Sequence, residues 1–258
     1  MSRLFLAASR PGARADATIV GVPVDGGVSF RPGAALGPAG IREFSESIES
    51  YSPRADRDLS DVVLVDAGDV TDPAAVTWDA PLLVGIGGDH SITPTLVGLL
   101  AAKHPELALV GFDAHLDMRE DYPGDHACTY RRIAEAGVPC YVFGPRSGER
   151  SEWIDAPKVL THLARDLDVS RTVAELRGRP VYVTVDIDVL DPSVAPGTGN
   201  PEPGGPGFNE LLAALEALRD VDVVACDIVE VSPPLDPSGI TQATAAVLVR
   251  EMILNFVR

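Results

Sequence analysis

Seven apolar runs, most of them rich in β-branched residues, recur along the chain: ATIVGVP at 17–23, DVVLVDAG at 61–68, PLLVGIGG at 81–88, LALVGFD at 107–113, PCYVFGP at 139–145, PVYVTVDID at 180–188 and VDVVACDIVEV at 221–231. They are apolar at successive rather than alternate positions, so strands built from them must be covered on both faces. Between the runs lie segments with helical spacing: 37–50, where Pro38 suits a first turn, then 93–103, 128–137 closed by Gly137, 161–178 closed by Gly178, 208–220 and 241–254. Doubly buried strands alternating with helices predict an α/β fold, a parallel sheet between two helical layers. With 258 residues, 45 % of them hydrophobic, and no repeat or linker, residues 1–258 read as a single domain. The Pro- and Gly-rich segment 191–207 resists any regular element and reads as a long functional loop.

Charge narrows the partners. Lys and Arg total 21 against 38 Asp and Glu, a net charge of −17 that repels nucleic acid and anionic membranes and attracts a small cation. No run reaches the length of a membrane span, and the N-terminal LFLAA is shorter than the apolar core of a signal peptide. Cys128, Cys140 and Cys226 show no metal-binding spacing and cannot all pair, which suits a reducing, cytoplasmic setting.

Polar clusters stand at the carboxyl ends of four runs: GGDHS at 87–91, DAHLD at 113–117, DIDVLD at 186–191 and DIVEV at 227–231. In an open α/β sheet that end is where ligands bind. An extended backbone would point Asp113, His115 and Asp117 to one face, and likewise Asp186 and Asp188. Carboxylates so grouped need compensating cations, and the nearest basic residues in sequence are only Arg119, Arg131 and Arg132. Metal ions answer the imbalance. His90, Asp113, His115, Asp117, Asp186 and Asp188 form a set of four carboxylates and two imidazoles without thiolate, more than one ion takes, and such a set suits Mn²⁺ better than Zn²⁺. The expectation is two Mn²⁺ per chain activating water. Taken singly, Asp89 or Ser91 could merely cap a turn and Asp186 could close an Asx turn. His104 and His162 read as surface or capping residues.

These same blocks, GGDHS, DAHLD, VDIDVLDPSVAPGTGNPEPGG (185–205) and DIVEVSPPLD (227–236), resemble the signatures of the ureohydrolase family, the arginases and agmatinases, and GVPVDGGVSFRPGAALGPAGIR (21–42) resembles the agmatinase-type N-terminal block. The resemblance implies a three-layer α/β/α fold around an eight-stranded, mainly parallel sheet, a binuclear manganese centre, and hydrolysis of a guanidino group to urea and an amine. It implies that Asp113 and Asp186 bridge the ions, with His90 and Asp117 on one and His115 and Asp188 on the other. It implies a proton shuttle at His126, a proton-passing role for Asp117, and a guanidinium receptor at Glu230. A carboxylate is the natural receptor, because a guanidinium stays protonated. A homo-oligomer, trimer or hexamer, is implied as well. The chain starts close to its first strand, so the N-terminal extension common in agmatinases is expected to be short. Ala35, Asn200, Pro206 and Gly207, with a compact segment between Asp117 and His126, depart from the agmatinase pattern near the mouth, where substrate tails are read. Agmatine leads the expected substrates, followed by guanidino acids and arginine. A two-metal phosphoesterase, a one-zinc deacetylase and an inactive binding protein are the alternatives, separated by metal content per chain.

Overall fold

The computed structural model describes residues 3–10, 12, 14–120 and 126–258; most of the compact segment expected between Asp117 and His126 lies outside them. In chain order the elements are β1 (Ala17–Val22), α1 (Gly37–Ser45), a two-stranded hairpin of β2 (Tyr51–Ser52) and β3 (Arg57–Asp58), β4 (Leu64–Asp69), β5 (Leu82–Gly87), α2 (Thr93–Ala101), β6 (Ala108–Phe112), α3 (Thr129–Glu135), β7 (Cys140–Phe143), α4 (Arg150–Val159), β8 (His162–Ala164), α5 (Ser170–Glu175), β9 (Pro180–Asp186), α6 (Phe208–Ala217), β10 (Asp222–Val229) and α7 (Ile240–Phe256).

Eight of the strands form one parallel sheet in the order β4-β1-β5-β10-β9-β6-β7-β8. The alternation of a strand's side chains splits the core in two. Val181, Val183 and Val185 of β9, with Leu82, Val84 and Ile86 of β5, face a layer that includes Ile41 of α1, Leu211 and Leu215 of α6 and Val249 of α7. Tyr182 and Leu83 face the opposite layer, where Leu96 and Leu100 of α2, Ile133 of α3 and Ala156 of α4 pack. This is the expected α/β/α sandwich. Among the described residues no helix is long and apolar enough to cross a membrane.

Two expectations fail near the sheet edge. The helix expected over 161–178 is instead β8 followed by the short α5, so His162 is a half-buried strand residue pairing opposite Tyr141 and lying beside the rings of Tyr141 and Phe143. Parallel pairing with β7 outweighs the helical spacing, because a short edge strand draws its stability from its neighbour. Helix α4 went unseen because Pro157 and its charged residues mask any apolar stripe; a capping box starts it, with the Glu149 N–H donating to Glu152 Oε2 at 2.7 Å.

Candidate metal centre and active site

Strands β5, β10, β9 and β6 are neighbours in the middle of the sheet, so their carboxyl ends bring the four polar clusters to one place. Sequence separation is large, yet His90 Nδ1 lies 3.2 Å from Asp113 Oδ2, 3.3 Å from Asp117 Oδ2 and 3.5 Å from Asp186 Oδ2. On the other side of Asp113, His115 Nδ1 lies 3.7 Å from Asp113 Oδ1 and 3.0 Å from Asp188 Oδ2. Two groups of possible ligand atoms result, His90–Asp113–Asp117 and Asp113–His115–Asp188, each with its atoms within 4.8 Å of one another. Asp113 belongs to both.

The convergence arises differently from the extended-backbone expectation. Strand β6 ends at Phe112, and Asp117 adopts a left-handed φ of 45°, so the DAHLD segment turns rather than continuing as a strand. Asp188 likewise sits in a 3₁₀ turn, 187–189, after the last strand residue Asp186. Turning lets each carboxylate use one oxygen on the backbone. Asp113 Oδ1 accepts from the His115 N–H at 2.6 Å, Asp186 Oδ1 from the Asp188 N–H at 2.9 Å, and Asp188 Oδ1 from the Ala114 N–H at 3.2 Å. The second oxygen of each faces the cluster. The turn-capping and ligand readings of Asp186 are therefore compatible. Asp89 differs: Oδ1 accepts from the Ser91 N–H at 3.1 Å and Oδ2 from the Gly27 N–H at 2.7 Å, which leaves it a purely structural cap.

Burial sharpens the chemistry. Desolvation would discharge His90, but the carboxylates of Asp113, Asp117 and Asp186 facing its Nδ1 hold its pKa well above the usual range. Burial, then the charges of Asp188 and Asp113, push the Asp186 carboxyl far up; burial and Asp113 push Asp117 up to about 6. The protein alone thus balances its carboxylates with protons, and still His90 Nδ1 and Asp113 Oδ2 are buried without a hydrogen-bond partner. Orphaned polar atoms of this kind cost of order 1–3 kcal/mol each, and a divalent cation bound by their lone pairs removes that penalty. The residues fit a pair of oxygen-loving ions. Thr184 Oγ1, 3.0 Å from His90 Nε2, turns the ring so that Nδ1 faces the carboxylates.

His126 and Glu230 adjoin this cluster. His126 Nδ1 is 2.8 Å from Glu230 Oε1, which also accepts from the His90 N–H at 2.9 Å. Glu230 holds a left-handed φ of 64°, a strained conformation that turns its side chain back over the sheet. Among the described residues nothing donates to its Oε2. A cavity of about 190 Å³ is lined by Ser29, Asp117, His126, Asp186, Asn200 and Glu230, among others. Arg119 also lines it, with Nη2 3.4 Å from Glu149 Oε1 and Nε 3.9 Å from Glu152 Oε2. Arg131 turns away, its Nε 2.9 Å from Glu135 and its Nη2 on Glu120; neither it nor Arg132 lines the cavity.

Sequence reasoning passed over Ser29, Glu152, Thr184 and Arg146. Glu152 Oε1 holds the Met118 N–H at 2.9 Å, and Arg146 binds the carbonyls of Asp188 and Glu202 at 2.9 and 2.7 Å, fastening the 191–207 loop. The capping-box spacing of Glu149 and Glu152 was a usable signal for the first; Arg146 offered none.

Known proteins resemble this chain in sequence and fold. The chain is 39 % identical to the agmatinase of Bacillus subtilis (strain 168), over 99 % of its own length and 97 % of that protein. It is 32 % identical to the mitochondrial guanidino acid hydrolase of Homo sapiens, over 92 % of this chain and 77 % of that one. The solved structure of proclavaminate amidino hydrolase from Streptomyces clavuligerus superposes with a TM-score of 0.86 at 32 % identity, covering 98 % of this chain and 96 % of that one. The Arginase family description matches residues 15–254, from the start of the sheet to the last helix, and with the same architecture throughout, the chain belongs to the arginase family and is a ureohydrolase enzyme.

Proposed function

We propose that the chain hydrolyses a guanidino compound with a cationic tail, agmatine first, to urea and an amine at a binuclear manganese centre held by His90, Asp113, His115, Asp117, Asp186 and Asp188. The observation that carries this reading is Asp113, shared between two ligand groups with one oxygen buried and unpartnered. The pair of ions supplies Lewis acidity and a lowered pKa for water. Glu230 Oε2 receives the guanidinium, while Oε1 stays committed to the protein, which fixes where the reacting carbon sits. Asp117 passes a proton to the leaving nitrogen, and His126 exchanges protons with solvent. Both relatives named above carry a guanidino substrate in their names, so the tail distinguishes the candidates. Here the lining residue Arg119 lies against the lining carboxylates of Glu149 and Glu152, and Glu202 Oε1 stands 3.8 Å from His115 Nε2, so carboxylates outnumber cationic groups around the tail and favour an ammonium.

The test is urea release from agmatine, guanidinobutyrate and arginine, compared as kcat/KM at matched Mn²⁺ and salt, with metal counted on the active protein. Two ions per chain and a preference for agmatine are expected. One ion, or a clear preference for guanidinobutyrate, overturns the corresponding half of the reading.

A further inference from the structure

We propose that Ser29, steered by Asn200, is a positioning residue that fixes the His126 ring with Nδ1 protonated and Nε2 as acceptor. The inference rests on the reading of the cavity as a guanidine-hydrolysing site. The Ser29 N–H, which can only donate, lies 3.2 Å from His126 Nε2, so that nitrogen accepts. Ser29 Oγ is 2.9 Å from the same atom, and since Nε2 accepts, the hydroxyl hydrogen is directed there while Oγ in turn accepts from Asn200 Nδ2 at 2.9 Å. With Nε2 an acceptor, the ring proton resides on Nδ1, 2.8 Å from Glu230 Oε1. The direction of every hydrogen bond, from Asn200 through Ser29 and His126 to Glu230, then agrees.

The backbone is built to present this serine. Asp89, next to His90, takes the Gly27 N–H at 2.7 Å, and Asp25 Oδ2 takes the Gly33 N–H at 2.7 Å, which tie the two ends of the Ser29 loop. Arg31 donates to the carbonyls of Gly199 at 3.1 Å and Thr198 at 2.8 Å, bringing Asn200 beside Ser29 from 171 residues away. The loops approach so closely that a Cβ on Gly199 would lie 2.8 Å from the Arg31 carbonyl oxygen. A ring fixed in one tautomer presents the same atom to the cavity at every turnover.

The test pairs a ring measurement with kinetics. Long-range proton–nitrogen correlation spectra of the metal-free protein, with His126→Asn identifying the resonances, are expected to show Nδ1 protonated in the wild type and a mixture of tautomers in Ser29→Ala. Kinetically, Ser29→Ala is expected to lower kcat about 10-fold, less than the ~10²–10⁴ contributed by an acid-base group itself, with KM nearly unchanged. Ser29→Thr, which keeps the hydroxyl, restores both readouts. An unchanged ring tautomer in Ser29→Ala overturns the proposal, as does a raised KM at constant kcat, which would make Ser29 a substrate contact. If no guanidine releases urea from the wild type, the function reading fails, and the ring spectra decide the tautomer by themselves.

Discussion

Two groups of carboxylates, each with buried members, sit on one sheet and are treated in opposite ways. At the edge, Asp66 of β4 meets the buried Arg42 of α1 in a fork, Nε to Oδ2 at 2.8 Å and Nη2 to Oδ1 at 2.9 Å, while Arg42 Nη1 reaches Asp69 at 2.5 Å and the Phe5 N–H adds 2.9 Å to Asp66 Oδ2. That cluster carries its own cation. In the middle of the sheet, Asp113, Asp117, Asp186 and Asp188 face two imidazoles and one another, with His90 Nδ1 and Asp113 Oδ2 left without partners. The first arrangement is complete within the chain and serves the fold. The second is left incomplete within the chain, which is what the proposed site for ions and substrate requires.

Removing one charge from each cluster should separate these roles. Asp186→Asn keeps the oxygen that accepts the Asp188 N–H and deletes the charge facing the centre. Its expected effect is the largest: loss of metal and a fall in urea release of about 10³-fold or more, since metal activation is worth several kcal/mol. Stability of the metal-free protein should be unchanged or higher, because asparagine is neutral without taking up the proton that burial forces on the Asp186 carboxyl. A variant that binds two ions normally would remove Asp186 from the ligand set.

Arg42→Ala breaks the comparison from the other side. Two carboxylates lose their buried partner, one of them fully inaccessible, which typically costs about 3–5 kcal/mol. Urea denaturation of the metal-free protein reads this directly, and a loss below about 1 kcal/mol would mean that water reaches Asp66 when the arginine is removed. Any activity that remains at temperatures where the variant is folded should be close to that of the wild type.

Adding Mn²⁺ sharpens the contrast further. At 100 times its Kd, an ion that binds only the folded state adds about 2.7 kcal/mol. The wild type and Arg42→Ala should gain alike, and Asp186→Asn should gain much less. Equal gains in all three would place the ions elsewhere.

How legible this was from sequence follows the same division. The central strands are covered on both faces, so they appear as apolar runs, and the residues that end them are conspicuous because carboxylate and histidine have no place in such a core. The six ligand candidates, His126 and Glu230 were therefore nameable, the last two with help from the family resemblance. The geometry was not: Asp113, His115 and Asp117 converge through a turn with positive φ at Asp117 rather than through strand alternation. Strand β8 was hidden because three residues carry too little pattern, and α4 because Pro157 and its charged residues leave no apolar stripe to read. Ser29 is silent in isolation. Its significance depends on Asn200, and only the folded loops bring the two together.

Asp191, just beyond the centre, gives the smallest expected effect and a third kind of carboxylate, one satisfied by neutral donors. Its Oδ1 accepts from the Ser193 hydroxyl at 2.6 Å and the Ser193 N–H at 3.0 Å, and Oδ2 from the Gly204 N–H at 2.8 Å, closing the 191–207 loop on itself. These hydrogen bonds, led by the Ser193 hydroxyl, favour the charged form and lower its pKa to about 2, against an ordinary value of about 4. A depressed carboxylate contributes stability that is fully present above its unfolded pKa and is lost as pH falls through its folded one. The contribution of Asp191 should therefore be intact above about pH 4 and disappear progressively toward pH 2. Asp191→Asn retains acceptor oxygen but cannot titrate, so the difference in unfolding free energy between wild type and variant should narrow across that window and be flat above it. Amide exchange at Gly204 should report the same window locally. Parallel stability curves for the two proteins between pH 5 and pH 2 would show that the loop is held by its other contacts, those of Arg146 and Arg31 among them, and that Asp191 adds nothing to the scaffold around the centre.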